Sequence, residues 1–321
     1  MIRVVILGQP YWSLRLLGVL QGLHPEVTAV FLSPKTLFTP AGLRSVARAD
    51  YFLRMGYRPG ATTWRGRLFD ALWSLLRTLN PRARGIHYWI GTDVFHTLKD
   101  AQAGRLRPGP LATARDDLHW ADAPWLVAEL AQVGLTASSV PLPVPLGDVR
   151  PPERLPAPFT VLTYIPDGRW AFYDGPSIYT AAQALPAIRF EVIGGGGAQA
   201  PGSLPNLTFF GWQQDIRPFL ARATVLVRLV RHDGTGGTVR EALEAGRHVI
   251  YSQPMPCVHQ VPYGHPEALE TALRSLLGRF EAGDLPPNLE GHAYVAATFD
   301  LKACLATYLA DLQNHLPPKR N

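Results

Sequence analysis

The sequence predicts an α/β protein built from two doubly wound domains, and three observations carry the prediction. Short apolar runs closing near a glycine recur, as in IRVVIL (2–7) before Gly8 and FTVLTY (159–164) before Gly168; such runs suit buried parallel strands. Helical patterns alternate with these runs in both halves, as in doubly wound folds. Between the halves lies PLPVPLGDVRPPERLPAP (141–158), with seven prolines in eighteen residues. Proline fixes φ and lacks an N–H, so this segment reads as an extended interdomain connection with hinge character. The 321 residues match two domains of about 150 each, here 1–150 and 151–321.

In chain order, strands are predicted at 2–7, VTAVFLS (27–33), GIHYWIG (85–91) and SSVPLPV (138–144). WLVAELAQVG (125–134) reads as a helix stopped at Gly134. In the second half, strands are predicted at 159–164, RFEVIGG (189–195), LTFFG (207–211), TVLVRLV (224–230) and HVIYS (248–252), with helices near 176–185, 214–221 and 236–245. The last helix, LKACLATYLADLQNHL (301–316), is left open between the two domains.

Composition narrows the setting. Hydrophobic residues make up 47% and charged residues 17%, a globular profile. No apolar stretch approaches the roughly 20 residues that span a bilayer. The N-terminus reads as a first strand, not a signal peptide. The two cysteines, Cys257 and Cys304, form no C-x-x-C pair, so a reducing, cytoplasmic setting is expected. The net charge of +6 is concentrated in the first half, where nine arginines between 44 and 84 face only Asp50 and Asp70. An anionic partner is expected there. GRLFDALWSLLRTL (66–79) sets leucines at helical spacing beside these arginines. It fits an ordinary core-facing helix with a solvated face, and also a peripheral contact with the inner membrane face. Nucleic acid is not expected, because no binding module accompanies the charge.

The chemistry concentrates in RHDGTGGTVREALEAGRHVI (231–250). A strand, a glycine-rich loop and a helix start follow one another, and a helix N-terminus offers unpaired N–H groups to phosphate. Gly234, Gly236 and Gly237 remove side chains that would keep a diphosphate from the backbone, with Thr235 and Thr238 interleaved. Asp233 and Glu241 bracket the junction as acceptors for sugar and ribose hydroxyls. G-x-x-x-x-G-K-[ST] is absent, and G-x-G-x-x-G fails because Val239 takes the third glycine's place. An ordinary glycine-rich βα turn with solvated acids has the same spacing.

The stretch resembles the donor-site signature of glycosyltransferase family 4, retaining enzymes of the GT-B fold, whose E-x7-E pattern stands here as Asp233-x7-Glu241. GWQQDIRPFLARATVLVRL (211–229), FEVIGGGG (190–197), WLVAELAQVGLTASSVPLPVP (125–145) and HYWIGTDV (87–94) are similar to other family segments, in order. The resemblance implies two Rossmann-like domains facing across a cleft. The C-terminal domain would bind a nucleotide-sugar donor and the N-terminal domain an acceptor, which is a polysaccharide or, by the basic segment, an anionic or lipid-linked molecule. It implies no cofactor and no metal, and the sequence shows neither D-x-D nor H-E-x-x-H. By the same resemblance Arg169 joins the donor diphosphate site with the 234–238 backbone. Asp93 stands with Asp233 as a catalytic candidate, on the acceptor side. Gly8 is a loop position near acceptor and donor phosphate, and His87 is an acceptor-side candidate that also reads as a core histidine.

Two positions depart from the family pattern. Asp174 replaces the lysine expected after Arg169, which removes a cation and adds an anion at the diphosphate. Ile90 stands where relatives carry histidine. A nucleotide-sugar epimerase of the same fold and a degenerate non-catalytic scaffold therefore stay as alternatives.

Overall fold

The computed structural model describes residues 1–56, 58–143 and 149–317. Residues 144–148, in the middle of the proline-rich connection, lie outside the described residues, as does the end of the strand expected over 138–144. The chain divides into two compact units, Met1–Val144 with Leu301–Asn321, and Pro145–Asp300. The second unit ends before the last helix.

The first unit runs β1 (Ile2–Gly8), α1 (Pro10–Gln21), β2 (Val27–Phe31), α2 (Pro34–Leu37), α3 (Pro40–Arg48), β3 (Tyr51–Met55), α4 (Trp64–Leu79), β4 (Arg84–Trp89), α5 (Thr92–Gln102), α6 (Pro108–Arg115), β5 (Leu118–Ala121), α7 (Pro124–Ala131) and β6 (Ser138–Ser139). Its six parallel strands lie in the order β2-β1-β3-β4-β5-β6, with Val4 beside Ala29 and Tyr51. Alternation sorts the strand side chains onto two faces. Val4, Ile6, Leu53, Tyr88 and Trp120 meet Leu16 and Leu20 of α1 on one face. Val5 and Phe52 meet Leu37 of α2, Val46 of α3, and Trp73 and Leu76 of α4 on the other. Threonine caps start two of these helices, Thr39 accepting from Gly42 N and Thr63 from Gly66 N, each at 3.1 Å.

The second unit runs β7 (Thr160–Tyr164), α8 (Gly175–Ala184), β8 (Arg189–Ile193), β9 (Leu207–Phe209), α9 (Arg217–Arg222), β10 (Val225–Arg228), α10 (Gly237–Glu244), β11 (His248–Tyr251), β12 (His259–Gln260), α11 (Pro266–Glu281) and α12 (Leu289–Thr298). Its strands lie in the order β12-β11-β10-β7-β8-β9. Val161, Phe190, Val225 and Ile250 form a core with Ile178 of α8 and Leu269, Leu273 and Leu276 of α11.

The final helix, α13 (Leu301–Asn314), packs on the first unit. Cys304, Tyr308 and Leu312 enter the core beside Tyr51 and Tyr88. The Tyr308 and Tyr88 hydroxyls lie 2.6 Å apart, and the Tyr51 hydroxyl donates to Leu312 O at 2.6 Å. Apolar and hydroxyl contacts thus draw the last helix, left open between the domains by the sequence, to the first unit.

Two strands of the first unit escaped the sequence reading. β3 carries Arg54 inside an otherwise apolar run, and β5 is four residues long with a histidine. Conversely, the strand expected over 138–144 shrinks to Ser138–Ser139, because Pro141 and Pro143 have no N–H for a ladder.

Candidate functional site

Counted in chain order from β7, the second sheet reads 3-2-1-4-5-6, and the direction of winding reverses between β7 and β10. Ligands of open parallel sheets bind beyond the strand carboxyl ends at such a reversal. The loops leaving β7 and β10 therefore define the candidate site within this unit. Arg231 N donates to Phe172 O at 2.9 Å and joins them.

The β10 strand delivers Arg228 to its carboxyl end. The guanidinium is buried and grips Asp233, with Nε and Nη2 each 2.7 Å from Oδ2. Tyr251, at the end of β11, donates to the same oxygen at 3.1 Å and to Gly234 O at 2.9 Å. The Arg228 guanidinium lies over the Tyr173 ring at 5.3 Å, and its Nη1 reaches Thr238 Oγ1 at 3.4 Å. Burial works against the arginine's charge, but Asp233, Tyr173 and Tyr251 outweigh it and raise its pKa above the ordinary value. Burial, reinforced by Asp233, holds the Tyr251 hydroxyl protonated far above its usual range.

Helix α10 opens beside this pair. A Cβ on Gly236 would lie 2.6 Å from Arg228 Nε, whereas a Cβ on Gly237 would meet nothing within 4 Å. The two glycines thus differ: Gly236 makes room for Arg228, and Gly237 leaves the helix N-terminus open to approach. Thr235 is buried, and its carbonyl accepts from Arg240 Nη2 at 3.3 Å. Glu241 stands half-buried one turn into the helix. Gly246, at φ +68°, turns the chain beyond the helix end.

Across the reversal, Arg169 is exposed on the β7 loop, its guanidinium 5.4 Å from the Phe172 ring centre. Asp174 is 3% exposed and precedes α8 at φ +50°. Its Oδ1 accepts from Ser177 Oγ at 2.8 Å and its Oδ2 from Gly264 N at 2.7 Å. The anion expected at the diphosphate is therefore turned into the fold, where it ties the start of α8 to the loop after β12. Of the other arginines near the signature, Arg231 lies over Tyr263 at 5.7 Å and Arg240 under Phe299 at 4.9 Å. Arg228 has contacts both to Asp233 and to the first turn of α10.

The remaining candidates lie in the first unit. Gly8, at φ +125°, sits where a Cβ would come 2.4 Å from Met55 O, so close approach of two strand ends requires it. His87 is 1% exposed, and its Nε2 lies 2.8 Å from Asp117 Oδ2, which also accepts from Trp73 Nε1 at 3.0 Å. Arg77 approaches the other Asp117 oxygen at 3.3 Å. Burial pulls the His87 pKa down against the pull of Asp117. This is the core reading of that histidine. Asp93 is also buried. Its Oδ1 accepts from the N–H groups of Ile90, Gly91 and Val94 at 2.9–3.1 Å. Burial pushes its pKa up to about 6 against those bonds. Its carboxylate holds the turn between β4 and α5.

Sequence reading missed Tyr251 and Tyr173, and it set Arg228 beside Arg231 and Arg240 as a stand-in for the missing lysine. The available signal was Arg228 itself, a lone charge in the buried run TVLVRLV, which must find a partner. Among the described residues, no group of three His, Cys, Asp or Glu side chains converges as metal ligands.

Comparison with solved structures identifies the fold. HepE of Anabaena, in complex with UDP and glucose, superposes with a TM-score of 0.68 at 12% identity, over 98% of this chain and 100% of that one. Sucrose-phosphate synthase of Thermosynechococcus elongatus gives 0.68 at 15%, over 97% and 98%. A glycosyltransferase of Rickettsia africae gives 0.66 at 10%, over 98% of each chain. The chain has the GT-B fold, with a parallel six-stranded sheet in each unit. No family model and no curated protein matches the sequence.

Proposed function

We propose that this protein transfers a sugar from a nucleotide-sugar donor, with retention, as a family 4 type glycosyltransferase. One observation carries the reading: at the strand reversal of the second unit, a buried arginine is fixed beside an open helix N-terminus. In this reading the donor diphosphate lies against the 234–238 backbone at Gly237, between Arg228 and Arg169. Glu241 accepts the ribose hydroxyls, and Asp233, steered by Arg228 and Tyr251, accepts hydroxyls of the sugar. Departure of the diphosphate builds negative charge, so fixed N–H groups and guanidinium lower the barrier where that charge develops. The reading assigns no protein nucleophile and asks for no metal. Asp93 shapes the β4–α5 turn in the acceptor-side unit. The acceptor is an anionic or lipid-linked molecule or a polysaccharide.

Arg228 answers the missing lysine. Its Nη1 has one long contact, to Thr238, while Asp233 holds the other two nitrogens. Charge-assisted hydrogen bonds contribute about 1.5–3 kcal/mol each. Arg228→Gln is therefore expected to weaken nucleoside diphosphate binding about 10- to 150-fold and monophosphate binding much less, as read by calorimetry. Equal weakening of both would make Arg228 a scaffold for Asp233 alone.

The test of the whole reading is thermal unfolding with UDP, GDP, ADP and TDP and their sugars. UDP comes first because HepE binds it. Ligand at about 100 Kd adds roughly 2.7 kcal/mol to the folded state. A shift with one base, lost in Glu241→Ala, supports the reading. The missing cation at position 174 keeps one alternative, a GT-B scaffold without donor binding; absence of any nucleotide shift selects it. Turnover of the nucleotide-sugar without acceptor would select an epimerase instead.

A further inference from the structure

Helix α4 has two sides that behave differently. Gly66, Asp70, Trp73 and Leu76 are buried, and Trp73 and Leu76 pack on Val5 and Phe52 of the sheet. Trp64, Leu68, Leu75 and Leu79 are 70%, 49%, 38% and 49% exposed. At 100° per residue these four fall within about 60° of one another, opposite positions 66, 70 and 73. One apolar stripe suffices to seat a helix on its sheet. The second stripe stands outside the packing of its own unit.

Charge around this stripe has one sign. Arg65 and Arg67 flank it, with the Arg65 guanidinium 5.3 Å from the Trp64 ring. The helix's single carboxylate, Asp70, is buried with Arg54 and bonded by Arg107. Helix α3 lies on the same sheet face and is tied to the end of α4 by Asn80, which donates to Val46 O and Ala49 O at 2.9 Å. It adds exposed Leu43, Arg44 and Arg48, and Lys35 and Phe38 are exposed just before it. Residues 33–49 contain no acid, and residues 62–82 contain only Asp70.

We propose that this face docks on an anionic phospholipid surface. Tryptophan and leucine enter the boundary between headgroups and acyl chains while the arginines engage the headgroups. No described helix is long and apolar enough to cross a membrane, so the contact is interfacial. A second copy of the same face fits poorly, because a twofold contact would set arginine against arginine. The inference rests on the first unit alone and stands apart from the donor-site reading.

The experiment is flotation of the full chain with two kinds of vesicle, phosphatidylcholine alone and phosphatidylcholine with phosphatidylglycerol in equal parts. Binding is expected only with the anionic vesicles and is expected to fall as salt rises. Leu68→Ser with Leu75→Ser should abolish it. Arg65→Ser with Arg67→Ser should weaken it about thirtyfold, at about one decade and a half for two surface arginines. All four positions are exposed, and unchanged thermal unfolding confirms that each variant folds. Three results overturn the proposal: equal or absent binding to both vesicles, undiminished binding by the leucine pair, or a dimer in sedimentation that the leucine pair dissolves. Nucleotide binding by the leucine pair separates this inference from the donor site, since it should equal that of the unaltered protein.

Discussion

Both units bury arginines and aspartates, but at different depths of their sheets. In the second unit, Arg228 is the last residue of β10, and its charge meets the first turn of α10 where a side-chain-free glycine leaves space. In the first unit, Arg54 lies inside β3 with its side chain under α4. It is sandwiched by Asp70 and by the Trp73 ring at 4.4 Å. Next to it, Asp117 gathers His87, Trp73 and Arg77. The first sheet also reverses, between β1 and β3, but that junction is filled by Gly8 against Met55. The lesson is that an Arg–Asp pair declares its role by its position along the strand. At the carboxyl end of a reversal it has the place proposed for a ligand; under a helix it holds layers together.

The contrast can be broken most severely at Asp117. Removing one partner of a buried charged cluster costs about 3–5 kcal/mol, so Asp117→Ala should lose that much in urea unfolding. Nucleotide affinity of the folded fraction should not change; a loss of affinity would erase the distinction between the units. The next effect is a pH dependence. Burial, with His87 nearby, lowers His119 to about 4, from about 6.5 in the unfolded chain. The unfolded chain then binds the extra proton, so this contribution is intact above about pH 6.5 and fades as pH falls toward 4. Its size is on the order of 3 kcal/mol. Urea midpoints across this range should fall with acid, and His119→Gln should flatten the curve.

Smaller substitutions sharpen the comparison inside the donor loop. Gly236→Ala forces the new methyl against Arg228 Nε and should cost about 1–3 kcal/mol of stability together with nucleotide affinity. Gly237→Ala meets no neighbour, so stability should hold or rise by up to about 1 kcal/mol through helix propensity, while diphosphate affinity falls. Parallel losses in both would refute the separate roles given to these glycines. Last, Asp93→Asn removes a buried charge while its amide oxygen can still accept the same N–H groups, so stability at neutral pH should hold or rise. The raised pKa of Asp93 means its contribution is present below about pH 4 and lost as pH climbs through about 6. The asparagine variant should lack that dependence in urea unfolding.

Much of this architecture was legible in the sequence because buried parallel strands are nearly uniform apolar runs. Thr160–Tyr164 and Val225–Arg228 are found that way. β3 and β5 were not, since Arg54 and His119 look wrong for a strand until their partners on other elements are known. The candidate site was legible in part. Asp233, the glycines and Glu241 are adjacent in sequence and announce a strand–loop–helix junction. Arg228 reaches Asp233 only by the fold of the loop between them, and Tyr251 joins only through the β10–β11 pairing. Asp174 shows the limit most sharply: sequence gives its charge, and only its bonds to Ser177 and Gly264 give its direction.

The return of α13 to the first unit has a consequence for how the chain is made. Residues 145–300 are contiguous and complete as soon as they emerge. The first unit is synthesised first yet lacks Cys304, Tyr308 and Leu312 until the whole second unit has been made. Domains ordinarily mature from the N-terminus as they leave the ribosome; here the earlier one must wait for its final wall. A chain truncated after residue 300 should therefore expose Tyr51 and Tyr88 to protease while the later unit is already resistant.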